Sequence, residues 1–124
     1  MAKRMSLAAF ERGYVECALW CGVRDAHGEP VVHASTLDLT DDALEALVRD
    51  AADFEHANRA LLNHANERGR DDESLGHDFW LTRNRHGAGF WDRGLGWIGV
   101  DLTKMAHAYG ACDLYMGANG KVDM

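Results

Sequence analysis

One long amphipathic stretch, "TDDALEALVRDAADFEHANRALLNHANERG", Thr40 to Gly69, constrains the fold more than any other feature. Leu44, Leu47, Val48, Ala51, Phe54, Asn58, Leu61, Leu62 and Ala65 recur at three- and four-residue steps, so a helix gathers them into one mostly apolar stripe. Thr40 is placed to cap its start, with two acids in the first turn where the helix dipole favours them. Arg68 falls in the last turn and Gly69 follows as the terminating residue. Asp41, Asp42, Glu45, Asp50 and Asp53 fall largely outside the stripe, on a face expected to meet solvent.

The segment around this helix also carries the charge. Eleven acidic and four basic residues lie between Asp38 and Glu73, so the whole formal net charge of -7 sits on that segment. Phosphates are repelled by such a balance, which argues against nucleic-acid binding by general attraction but not against a local basic patch. At 124 residues and 47% hydrophobic, the chain has enough for one domain, 1–124, with a packed core. No apolar run is long enough to span a membrane. The start, "MAKRMSLAAFERGY", lacks a signal peptide's apolar region, so a cytoplasmic protein is expected. Three cysteines without disulfide-like spacing fit free thiols in a reducing compartment, and core packing accounts for them better than a metal site.

Around the long helix, the spacing of Leu7, Phe10, Tyr14, Cys17 and Cys21 predicts a first helix over Ser6–Cys21 with Ser6 as N-cap. Gly13 interrupts it, and a strand from Tyr14 to Val23 is the competing reading. The single proline, Pro30, lies in "DAHGEPVVHAS", a long loop. Leu95, Ile98, Leu102, Met105 and Tyr109 predict a third helix ended by Gly110, and Asn119-Gly120 predicts a hairpin pairing Leu114–Met116 with Lys121–Asp123.

Between these lies "GHDFWLTRNRHGAGFWDRG", Gly76 to Gly94, dense in aromatic and charged residues. Phe79–Arg83 and Ala88–Asp92 read as two strands around a turn at Asn84–Gly87, with Gly87 supplying a positive φ. That register sets Leu81 opposite Phe90, Trp80 opposite Trp91 and Asp78 opposite Arg93, with both indoles on one face and at least one of them in the core. The expected fold is α+β: three helices packed on a small antiparallel sheet made of two β-hairpins, in the order ααββαββ.

Chemistry is thinly signposted. Seven histidines raise the question of a metal, yet no His-x3-His pair exists, and His77, His86 and Asp92 are too far apart along a hairpin to share an ion. His56 and His64, eight apart, could share a helix face, and His64 and Glu67 have a spacing seen in carboxylate metal sites, but complete ligand sets have tighter spacing. There is no nucleophile elbow and no phosphate loop with its lysine. No metal, cofactor or catalytic residue is therefore expected. Two surfaces remain as binding candidates. One is the basic tip formed by Arg83, Asn84, Arg85 and His86 with Arg93 beside it, since arginine offers forked hydrogen bonds to carboxylate or phosphate. The other is the acidic helix face around Asp50 and Asp53. Substitution of either pair, Asp50 with Asp53 or Arg83 with Arg85, is expected to leave the fold intact.

The motif "GHDFWLTRNRHGAGFWDRG", followed by a helix ending "AYG" and then "DLYMGANGKV", resembles a family of small uncharacterised proteins carried by bacteriophages, plasmids and integrated elements; "YVECALW" near the start fits as well. This sequence has Arg85 where glycine is common in that family. The resemblance implies a mobile-element accessory protein of the host bacterium's cytoplasm and brings no established activity. The resulting expectation is a non-catalytic phage-type protein that binds a host or phage protein, with an antidefence role through its acidic surface. A metal-assisted hydrolase built on the hairpin and a nucleic-acid binder using the Arg/Trp hairpin are the alternatives.

Overall fold

In the computed structural model, which describes residues 7–124, the core is organised by stacked aromatic rings. Phe54 stacks on Phe79 with centroids 4.0 Å apart, Phe79 on Tyr14 at 4.9 Å, and Phe10 and Phe90 flank Phe54 at 6.0 and 5.8 Å. Offset stacks of this kind add to the burial of large rings. Five α-helices and three short strands supply and cover this core among the described residues: α1 (Ala9–Cys21), β1 (Val23–Arg24), α2 (Asp41–Ala57), α3 (Arg59–Glu67), α4 (Asp72–Arg83), α5 (Trp97–His107), β2 (Leu114–Met116) and β3 (Val122–Asp123). Single 3₁₀ turns lie at Thr36–Asp38 and Phe90–Asp92.

The long stripe buries as its spacing predicts, but it belongs to two helices. Thr40 caps α2 by accepting from the Ala43 N–H. At Asn58 the backbone leaves helical geometry, and the Asn58 amide donates to the Phe54 carbonyl at 3.0 Å. A side-chain amide that takes a backbone acceptor in this way competes with the helix ladder and turns it. α3 ends as expected at Gly69, φ +92, where the Gly69 N–H donates to the Asn66 carbonyl and the Arg70 N–H to that of Ala65.

α1 forms as a helix, which disposes of the alternative strand. It opens at Ala9 with no side-chain cap at Ala8, and the expected cap, Ser6, lies outside the described residues. Gly13 has a packing reason. A Cβ there would lie 2.0 Å from the Glu73 carbonyl oxygen, and one at Gly76 of α4 would lie 2.1 Å from that of Phe10. The two glycines let α1 and α4 approach backbone to backbone.

The aromatic segment is where the expected architecture fails. Asp72–Arg83 is helix α4, and the Phe90–Asp92 part is a 3₁₀ turn, so neither predicted strand exists and the order ααββαββ does not hold. Asp71 caps α4 by accepting from the Ser74 N–H, acids fill its first turn, and Leu75 and Phe79 then fall on the buried side. Its end is a Schellman motif: the His86 N–H donates to the Leu81 carbonyl, the Arg85 N–H to that of Thr82. The residue forced to positive φ is Arg85, at +56°, and not Gly87. Trp80 is buried in the core, while Trp91 stands in solvent, so the indoles do not share a face.

The sheet is a single mixed one, β1-β2-β3, with β1 parallel to β2 and β2 antiparallel to β3. The C-terminal hairpin pairs Tyr115 with Asp123 and Met116 with Val122 around the Asn119-Gly120 turn, as the sequence predicts. β3 also anchors α2: the Thr40 N–H donates to the Val122 carbonyl and its hydroxyl to Asp123.

Candidate functional site

α4 turns two charged side chains, Asp78 and Arg83, to different sides, because five residues on a helix subtend about 140°. Each organises a separate cluster.

Arg83 points inward. Its Nη1 donates to the Tyr14 hydroxyl and to Asp50 Oδ2, both at 2.8 Å; Nε donates to the Gly110 carbonyl at 2.8 Å and Nη2 to that of Tyr109 at 3.1 Å. The guanidinium also lies 5.8 Å from the Phe79 ring centre and 5.6 Å from that of Tyr109. One side chain thus joins α1, α2, α4 and the turn after α5. Burial drives the Tyr14 phenol well above its ordinary range, with Arg83 pulling the other way. Tyr109 is raised too, by burial and by its hydrogen bond to Asp53. Burial likewise pushes the Cys112 thiol up, which disfavours the thiolate at neutral pH.

The predicted basic tip and acidic face are therefore not rival surfaces. Arg83 and Asp50 are partners, and Asp53 accepts from Tyr109 in the same network. Asn84 belongs to it as well: its amide donates to the Trp80 carbonyl and its oxygen accepts the Cys112 N–H at 2.8 Å. Of the tip residues only Arg85 and His86 are exposed. Arg93 lies in the other cluster.

There Asp78, fully buried, accepts Arg70 Nη2 at 2.7 Å and Arg93 Nη2 and Nε at 2.9 and 3.1 Å. Asp78 and Arg93 do meet, as the hairpin register would have it, but across a helix and a turn. A cleft of about 310 Å³ opens over this triad, lined by Arg70, Asp71, Glu73, Ser74, His77, Asp78, Leu81 and Arg93. A second cleft of about 380 Å³ shares the Glu73 and His77 wall and is floored by Leu19, Trp20 and Ala34.

A third feature is an exposed face on α5. Ile98, Leu102 and Ala106 turn inward, while Trp97 (58% exposed), Val100 (52%) and Met105 (46%) face out with Lys104. The predicted stripe had placed Met105 in the core; Ala106 occupies that position instead. Trp91 projects from the 3₁₀ turn that packs on α5, where the Phe90 carbonyl oxygen would lie 2.6 Å from a Cβ at Gly99. His64 of α3 approaches Trp97 edge-on at 6.0 Å. The signal for this face was present in the sequence as Trp97 and Val100, which stand off the Leu95–Ile98–Leu102 spacing.

His64 and Glu67 are in contact at 3.3 Å, and among the described residues no group of three or more His, Cys, Asp or Glu is placed to hold a metal ion. No helix among them is long and apolar enough to cross a membrane. Comparison with protein-family models, curated proteins and solved structures finds no match to this chain.

Proposed function

We propose that this is a binding protein of the phage accessory type, which engages a host or phage protein in the bacterial cytoplasm through the exposed face of α5. The observation that carries the reading is the exposure of Trp97 and Val100 on one face of α5, with Met105 exposed on its flank and Trp91 on the adjoining turn. Leaving such side chains in water has a cost in solubility that a binding role offsets, and tryptophan is the residue most enriched where partners bind tightly. A protein partner is favoured over nucleic acid for two reasons. The net charge is -7, and Arg83, the central donor of the predicted tip, is buried and committed to Asp50 and Tyr14. Interference with a host defence complex is the role the mobile-element resemblance implies, with the negative charge of α2 steering encounter with a basic partner.

The test is comparative capture. Tagged wild type and the Trp97→Ser/Met105→Ser variant are exposed to the same bacterial lysate, after circular dichroism has established equal folding. A partner recovered in stoichiometric amount by the wild type and lost by the variant supports the reading. Equal recovery by both removes α5 from it.

A further inference from the structure

The geometry points to the joined clefts beside α4 as a binding site for a carboxylate attached to an apolar body, separate from the α5 face.

The polar half is pre-built. Asp78 holds two guanidinium groups in one place by three charge-assisted hydrogen bonds, so neither arginine has to be immobilised when a ligand arrives. Asp78 is fully buried, whereas the side chains of Arg70 and Arg93 remain 26% and 29% exposed at the cleft. Asp78 engages Nη2 of Arg70 and Nε and Nη2 of Arg93, and the Nη1 groups of both have no hydrogen-bond partner among the described residues. Paired donors on planar groups match a carboxylate.

The surrounding charges decide which anion fits. Glu73 is answered by Arg12 at 3.1 Å, Asp92 lies 3.7 Å from Arg93 Nε, and Asp71 caps α4. Against two arginines stand Asp71, Asp78 and Asp92, with Glu16 on the wall of the adjoining cleft, so the field does not favour a dianion such as phosphate. A monoanion is held by directed hydrogen bonds more than by field.

The apolar half adjoins it across His77. Leu19 and Ala34 form its floor, and Trp20, 67% exposed, stands edge-on to His77 with centroids 6.3 Å apart. A ligand with its carboxylate on the arginines would lay an aryl or branched aliphatic body against Trp20. A free organic acid and the C-terminus of a peptide ending in an apolar residue share this chemistry.

The experiment is backbone amide NMR on the intact protein. The probes are 3-phenylpropionate, its methyl ester, inorganic phosphate, and a short peptide ending in Phe as free acid and as amide. Saturable shifts at Arg70, His77, Arg93 and Trp20 are expected with the free acids, with ester and amide weaker by roughly tenfold or more. Response to 3-phenylpropionate alone identifies a small-molecule site; response to the free-acid peptide alone identifies a chain terminus. Trp20→Ala, at an exposed position, keeps the fold and weakens binding of the free acids severalfold. No saturable shift, equal binding of acid and ester, tighter binding of phosphate, or unchanged affinity in Trp20→Ala would each overturn the proposal.

Discussion

Arg83 and Asp50 are bonded at 2.8 Å, the guanidinium side chain 5% exposed and the carboxylate 36%, and this pair closes α4 onto α2. Removing one member leaves the other without its counter-charge, so substitution here acts on stability, contrary to the expectation from sequence. Asp50→Asn should cost about 1–2 kcal/mol, since Arg83 keeps Tyr14 and two backbone carbonyls as acceptors. Asp50→Lys should cost about 3 kcal/mol or more, short of the full penalty for a buried pair because Asp50 still meets water. Urea midpoints measure both.

The glycines of the aromatic segment should separate by role. Gly76→Ala should destabilise by more than about 2 kcal/mol, because its Cβ meets the Phe10 backbone. Gly87→Ala should stay within about 0.5 kcal/mol, since Gly87 has no positive φ and nothing within 4 Å of a Cβ. Arg85→Gly should be neutral or stabilise by up to about 1 kcal/mol, as it relieves a left-handed non-glycine residue. Thermal unfolding of the three variants gives the ranking.

Stability should decline at alkaline pH. Tyr14 and Tyr109 are held protonated above their ordinary value of 10.0, and Cys17 and Cys112 above 9.0, with burial the first cause in each. The unfolded chain releases these protons first, so their contribution is complete below about pH 9 and is lost as pH rises through the unfolded values towards the folded ones. A urea midpoint that is flat from pH 7 to 8.5 and falls from pH 9 to 11 is expected. Cys17→Ala should flatten the early part of the fall.

The parts of the fold legible in the sequence are those where apolar spacing and capping agree. Thr40, Gly69, Gly110 and Asn119-Gly120 mark their elements correctly. α4 is hidden because Asp78, Thr82 and Arg83 are all buried on it, and hydrophobic periodicity does not register a polar residue that is buried with its partner. The cap Asp71 and the acids after it were the available signal, but they merged with the acidic run of the preceding helices. Arg85 in a position that favours glycine removed the usual mark of a helix end, and nearby Gly87 supplied a false one. Arg83 and Arg93, read from the sequence as surface donors, turn instead to Asp50 and Asp78 through contacts distant in sequence that no local pattern marks, while Arg85 stays exposed.

Hydrogen exchange on the protein bound to its captured partner tests the central claim most directly, because it reports which surface is covered. The account predicts slowed exchange in the turn at Phe90–Asp92 and along α5 from Trp97 to Met105, with Arg85 and His86 and the outer face of α2 unchanged. Protection confined to Arg85 and His86 or to α2, with α5 exchanging as in the free protein, would contradict it.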